Sequence, residues 1–134
     1  MRVVLDTNVF ISGIFWNGDS RWIISAWKTG SFQLVASKEI ISEITRVLKD
    51  FKIKMPDNMI KNWVSLIESN SLVVEPKEKI RAVKDDPKDD MFIEAAVTGK
   101  AEFIVSKDKH LLKLKEFRKI KIIRPAEFKE VRIN

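Results

Sequence analysis

Five acidic side chains stand where carboxylates do chemistry rather than merely meet solvent. Asp6 follows directly on Val3, Val4 and Leu5, a continuous apolar run of the kind a strand buried on both faces requires. A carboxylate at the end of such a run is desolvated at a cost unless it has a partner. Asp108 repeats the arrangement after Phe103, Ile104 and Val105, with the polar turn Ser106-Lys107 between. Asp89 and Asp90 immediately precede an apolar segment whose burial brings their end of it near the core. Glu43 lies three residues after Ile40 and four before Val47, at the margin of a helix's apolar stripe, from which it could reach the same edge.

Gathered together, such carboxylates repel and raise one another's pKa, so the cluster needs a cation. The chain has no cysteine and a single histidine, which leaves oxygen ligands and points to Mg²⁺ or Mn²⁺. Two such ions about 4 Å apart stabilise the attacking and leaving oxygens of a phosphodiester displacement and turn water into a nucleophile without a histidine base. Each acid also has a plainer use. Asp89 or Asp90 would cap the helix beginning at Met91, Asp108 the one beginning near Lys109, and Glu43 alone reads as a solvated helix residue.

The elements that must position these acids alternate between strand and helix. After the first strand and a polar turn over 17–20, Trp22, Ile23, Ala26 and Trp27 recur at helical spacing as far as Thr29-Gly30. Residues 32–35 read as a second strand. Ser37 is placed to cap a helix carrying Ile40, Ile41, Ile44, Val47 and Leu48, and a further helix starts near Pro56. A short strand over 72–74 and a charged, turn-rich connection over 75–90 lead to a buried helix over 91–98, stopped by Gly99. Residues 103–105 form a strand, 109–114 a short helix, and Ile120, Ile122 and Ile123 a last strand before Pro125. The alternation predicts a parallel sheet with helices on both faces. In such a sheet, residues just past the strand ends collect along one edge, where ligands bind.

At 134 residues the chain fits one domain, 1–134, with a single core. No apolar run approaches the length of a membrane span, and the N-terminus shows no secretory pattern, so a cytoplasmic protein without membrane attachment is expected. A net charge of +6 favours a polyanionic partner or simply solubility. The crowding of Lys107, Lys109, Lys113, Lys115, Arg118, Lys119, Lys121 and Arg124 into one stretch tips the balance towards nucleic acid. His110, the one histidine, reads as a partly exposed helix residue. Trp22, Trp27 and Trp63 fit packing faces, and Trp16, in a turn after the first acid, reads as packing or as a surface for a base.

The strings LDTNVFISGIF (5–15), SKEIISEITRVL (37–48), DDPKDDMFIEAA (85–96) and EFIVSKDKHLL (102–112) resemble, in order and spacing, the successive acidic motifs of PIN domains. The closest likeness is to the toxin components of prokaryotic (VapBC-like) toxin-antitoxin pairs, and it spans essentially the whole chain. The resemblance implies a three-layer α/β/α fold with a central parallel sheet, Mg²⁺- or Mn²⁺-dependent cleavage of single-stranded RNA by an endoribonuclease, homodimerisation, and a cognate antitoxin protein as partner. Residue by residue it assigns Asp6 as first acid, Glu43 as second, Asp90 as third with Asp89 a close competitor, and Asp108 as fourth. Asn8 would support the first acid, and Ser106 stands where a threonine is usual, the hydroxyl being kept.

Two rival functions remain. A Mg-dependent phosphatase of α/β fold needs a second acid two residues after the first, and Asn8 occupies that place. A non-catalytic RNA- or protein-binding module on the same fold would not need the full set of acids.

Overall fold

Val3, Val4 and Leu5 are 0%, 0% and 2% exposed. Successive strand side chains point to opposite faces, so both faces of β1 (Arg2–Leu5) are covered and the sheet lies between layers of helix. A computed structural model describes residues 1–131; positions 132–134, the tail of the expected domain, lie outside the described residues.

The remaining strands are β2 (Gln33–Ser37), β3 (Ser71–Val74), β4 (Phe103–Val105), β5 (Glu116–Phe117) and β6 (Ile120–Ile123), in the order β3-β2-β1-β4-β6-β5. Pairing is parallel throughout except at one edge, where β5 runs antiparallel to β6. The antiparallel edge was not foreseen. It exists because Arg118 and Lys119, at φ 46° and 72°, make the two-residue turn with positive φ at both positions that a tight hairpin prefers, usually supplied by Asn-Gly.

The chain builds outward from β1 to β2 and β3, then returns to place β4 on the other side of β1. The point where strand order reverses therefore lies between β1 and β4, and the crevice at the strand C-terminal ends there is the usual place for a ligand. Register fixes the alignment: Leu5 pairs with Val105 and Val105 with Ile123, so the residues that follow β1 and β4 emerge side by side.

The helices are α1 (Thr7–Phe15), α2 (Asp19–Lys28), α3 (Lys38–Asp50), α4 (Asp57–Ser69), α5 (Asp90–Thr98), α6 (Lys109–Leu112) and α7 (Pro125–Lys129), with a 3₁₀ turn over Pro87–Asp89. Helix α1 was not legible from periodicity: TNVFISGIF is rich in β-branched residues, contains Gly13 and is apolar on most sides. Packing and a cap at Asp6 make it a helix nonetheless, with Val9, Phe10 and Ile11 all at most 4% exposed. Helix α5 is buried as expected and packs against β1, β2 and β4. Its Phe92, Ile93, Ala95 and Ala96 are at most 1% exposed, and burying each of the two larger side chains contributes about 1.5–3 kcal/mol. Helix α6 ends at Leu112, two residues short of the expected bound. No helix among the described residues is long and apolar enough to cross a membrane.

Candidate active site: a carboxylate cavity at the sheet edge

Asp6 occupies the joint between β1 and α1. Its Oδ1 accepts the Val9 N–H at 3.0 Å, capping the helix, and Asp6 is only 3% exposed. Its Oδ2 accepts the hydroxyl of Ser106, which lies just past β4 and is fully buried. The same Ser106 Oγ accepts the Asp108 N–H at 2.9 Å. One hydroxyl thus ties the first acidic segment to the fourth. Asp108 itself caps α6, accepting the His110 N–H at 2.7 Å, so the capping expected of it coexists with a place in the cavity.

These groups open into a cavity of about 250 Å³ lined by Asp6, Thr7, Asn8, Glu43, Arg46, Asp86, Lys88, Asp89, Phe92 and Asp108. Glu43 arrives from the margin of α3, as its spacing from Ile40 requires. Ser37 caps that helix by accepting the Ile40 N–H at 3.3 Å. Glu43 Oε2 accepts the Thr7 hydroxyl, and Oε1 lies 3.6 Å from Arg46 Nη2. Asn8 lines the cavity, and its backbone N–H, rather than its side chain, is what acts on the Asp6 carboxylate.

The Asp89-Asp90 pair divides. Asp89 faces the cavity, whereas Asp90 does not, and this departs from the expectation that gave Asp90 the third place. Asp90 Oδ1 instead accepts the Ala82 and Val83 N–H groups at 3.0 and 2.7 Å, anchoring the connection that leads into α5. Pro87 is the cause: it opens a 3₁₀ turn over Pro87–Asp89, which makes Asp90 the first residue of α5 and turns its side chain back on the preceding loop.

The same turn brings in a residue that sequence reasoning missed. Asp86 caps that turn, its carbonyl accepting the Asp89 N–H at 3.0 Å, and so is held beside Asp89. Asp86, Asp89 and Asp108 each offer an oxygen, and these oxygens lie within 4.8 Å of one another. The signal was present in the acid-Pro spacing of DDPKDD, of which only Asp89 and Asp90 were read as site residues. Thr7, Arg46 and Lys88 were also missed; Arg46, one turn after Glu43, was readable as an i, i+3 pair.

Five carboxylates face two cations, Arg46 and Lys88, around this cavity. Burial pushes the Asp6 carboxyl above its usual range, and the Asp108 charge adds to the rise against the hydrogen bonds from Ser106 and Val9. Asp89 is pushed up to about 8, first by burial, then by hydrogen bonding with the Asp108 side chain and by the charges of Asp86, Asp108 and Asp6. Asp89 Oδ2 is buried without a hydrogen-bond partner among the described residues. An unpartnered buried carboxylate oxygen beside two further acids fits a hard divalent cation held by oxygen, and Asp86, Asp89 and Asp108, with Asp6 beside them, are the residues that would hold it.

His110 sits outside the cavity, its Nδ1 3.8 Å from Asp85 Oδ2. Trp27 is buried and donates Nε1–H to the Asn70 carbonyl at 3.0 Å, and Trp63 meets Phe10 edge-on at 6.0 Å, as packing residues should. Trp22, by contrast, is 39% exposed, with Lys129 over its ring.

A family model described as PIN domain matches residues 2–110. Among solved structures the chain is similar to VapBC2 from Rickettsia felis bound to a DNA fragment from their promoter, with a TM-score of 0.60 and 14% identity, over 92% of this chain and 98% of that one. At that identity the likeness is one of fold. No curated protein matches the chain.

Proposed function

The chain belongs to the PIN domain family, and from that premise we propose that it is a Mg²⁺- or Mn²⁺-dependent endoribonuclease acting on single-stranded RNA. The observation that carries the reading is the meeting of Asp6, Glu43, Asp86, Asp89 and Asp108, from four separate stretches of chain, in one cavity where strand order reverses. The reaction adds water across a P–O bond, leaving one end with the phosphate and the other with a hydroxyl. When bound, the divalent ion supplies charge neutralisation at the phosphate and a lowered pKa for water.

The chain's own residues do the rest. Asp86, Asp89 and Asp108 would supply the oxygen donors for that ion, and Asp89, whose burial favours its protonated form, would have to be ionised to serve as one. Ser106 keeps Asp6 turned into the cavity while Thr7 and Arg46 fix Glu43. Lys88 and Arg46 supply the positive charge at the rim that draws a phosphodiester towards an acidic site.

The likeness in fold to VapBC2 supports the further reading that the chain is the toxin of a toxin-antitoxin pair, a cytoplasmic homodimeric protein of one domain with a cognate antitoxin. The test is direct. Protein freed of any partner is incubated with a varied pool of unstructured RNA and Mn²⁺ or Mg²⁺, and cleavage that EDTA stops is expected. RNA that stays intact while still being bound identifies a binding module instead.

A further inference from the structure

A second cavity, of about 260 Å³, lies beside the acidic one, between the end of α1, the start of α2 and the residues Lys107 and Arg124. Three observations make its wall a site for an anion. Helix α2 has Gly18 at its N-cap, at φ 132°, with no side-chain cap among the described residues, so its first N–H groups lack the usual acceptor. Ser20, in the first turn of that helix and in the cavity wall, is only 4% exposed, and its Oγ is buried with no hydrogen-bond partner among the described residues. Lys107 and Arg124 add two cations, whereas Asp19, the one acid in the wall among the described residues, is paired with Lys129 Nζ at 3.2 Å.

Trp16 forms the lip of this cavity and is 45% exposed, a large aromatic face at a place where packing would have hidden it. The turn that presents it is braced: Arg21 donates to Asn17 Oδ1 at 2.9 Å and to the Ile14 carbonyl at 3.0 Å. Lys52 stands 5.7 Å from the centre of the Trp16 ring, adding positive charge. Cations beside an exposed aromatic ring are how single-stranded nucleic acid is held without base readout, the phosphate on the charges and the base on the ring.

We propose that this cavity is a nucleotide subsite of the RNA track, seating a backbone phosphate on Lys107, Arg124, the Ser20 hydroxyl and the α2 N-terminus, with the neighbouring base stacked on Trp16. The inference rests on the nuclease reading for its ligand. Geometry ties the two cavities together. Lys107 stands between Ser106 and Asp108, and its Nζ bonds Ser12 Oγ at 3.3 Å. Ser12 lies one turn along the same face of α1 from Asn8, which lines the acidic cavity, about 6 Å of helix rise. A strand seated in the subsite thus enters the acidic cavity at a neighbouring phosphate. Since stacking tolerates any base, the subsite positions the strand rather than reading its sequence.

The test measures binding of a fluorescein-labelled single-stranded oligoribonucleotide by anisotropy in EDTA, so that affinity is read without turnover, with thermal melts to verify folding. Trp16→Ala is expected to weaken binding about tenfold, with Trp16→Phe close to wild type. Lys107→Gln and Arg124→Gln should each weaken it and flatten the dependence of log affinity on log salt by about 0.7, while Lys61→Gln on α4 changes neither. Unchanged affinity and salt slope in Trp16→Ala, Lys107→Gln and Arg124→Gln would overturn the subsite, and the nuclease reading survives if these variants still cut RNA. Wild-type protein that binds through these residues but never cuts in Mn²⁺ or Mg²⁺ supports the subsite and sinks the nuclease reading. Equal loss in Trp16→Phe and Trp16→Ala refutes stacking.

Discussion

The Ser106 hydroxyl donates to Asp6 across a sequence separation of 100 residues, and both side chains are buried. That bond closes the seam between β1 and β4 at the point where their following segments must supply carboxylates together. Removing the hydroxyl leaves Asp6 Oδ2 and the Asp108 N–H without their partner. Ser106→Ala is expected to cost about 1–3 kcal/mol of stability and to lower cleavage, whereas Ser106→Thr keeps the donor and most of both. Denaturant melts beside a cleavage assay separate the two effects.

Asp6→Asn keeps the shape and the cap on the Val9 N–H but removes the charge. Burial already disfavours that charge in the metal-free protein, so the variant should melt no lower than wild type in EDTA. Cleavage should be abolished. Wild-type turnover by Asp6→Asn would remove Asp6 from the site.

The pH dependence of stability follows from Asp89. Its folded-state pKa of about 8 stands above the ordinary 3.8, so between those values the folded protein holds a proton that the unfolded chain releases. The contribution is complete below the lower value and is lost as pH rises through the upper one. Metal-free protein should therefore melt at a higher temperature near about pH 5 than near about pH 8.5, and Asp89→Asn should flatten that difference. Mn²⁺ titrated calorimetrically at neutral pH in buffers of different ionisation enthalpy should release protons in wild type and fewer in Asp89→Asn.

The neighbouring acids should separate by readout. Asp89→Ala removes a cavity carboxylate and should lose metal affinity with little loss of stability in EDTA. Asp90→Ala strips the Ala82 and Val83 N–H groups of their acceptor and should cost about 2–3 kcal/mol with metal present or absent. Equal behaviour of the two variants in melts and in metal titrations would contradict the division of labour.

At Gly13, α1 and α2 are in close approach. A Cβ there would stand 2.3 Å from Ile24 Cγ1 and 2.7 Å from the Ser20 carbonyl. Gly13→Ala should therefore destabilise the protein by about 1–3 kcal/mol as an overpacking change, against the gain a helix normally takes from alanine. A melt that rises instead would show that the two helices separate freely.

Much of this was readable from the residues alone, for physical reasons. The consecutive burial of Val3, Val4 and Leu5 is a property of strands covered on both faces, so β1, β4 and the edge they share could be placed from local pattern. Ser37 capped its helix because a hydroxyl ahead of an apolar stripe has that use, and the margin position of Glu43 follows from helical spacing. What escaped depends on longer-range or subtler geometry. Helix α1 owes its form to the cap at Asp6 and to burial, which override weak propensity. The β5–β6 hairpin turns on positive φ at Arg118 and Lys119, residues with no turn signature. The exchange of Asp90 for Asp89, and the entry of Asp86, come from a single 3₁₀ turn ahead of α5, which shifts facing by one residue where periodicity has no resolution.

Asp90's grip on the Ala82 and Val83 amides has a consequence for anyone mapping this protein by loss of activity. That grip shapes the segment from which Asp86 projects, so deleting Asp90 would disturb the cavity carboxylates without removing one of them. A scan scored on turnover alone would rank a mould alongside the parts it casts, and only a measurement on the empty protein tells them apart.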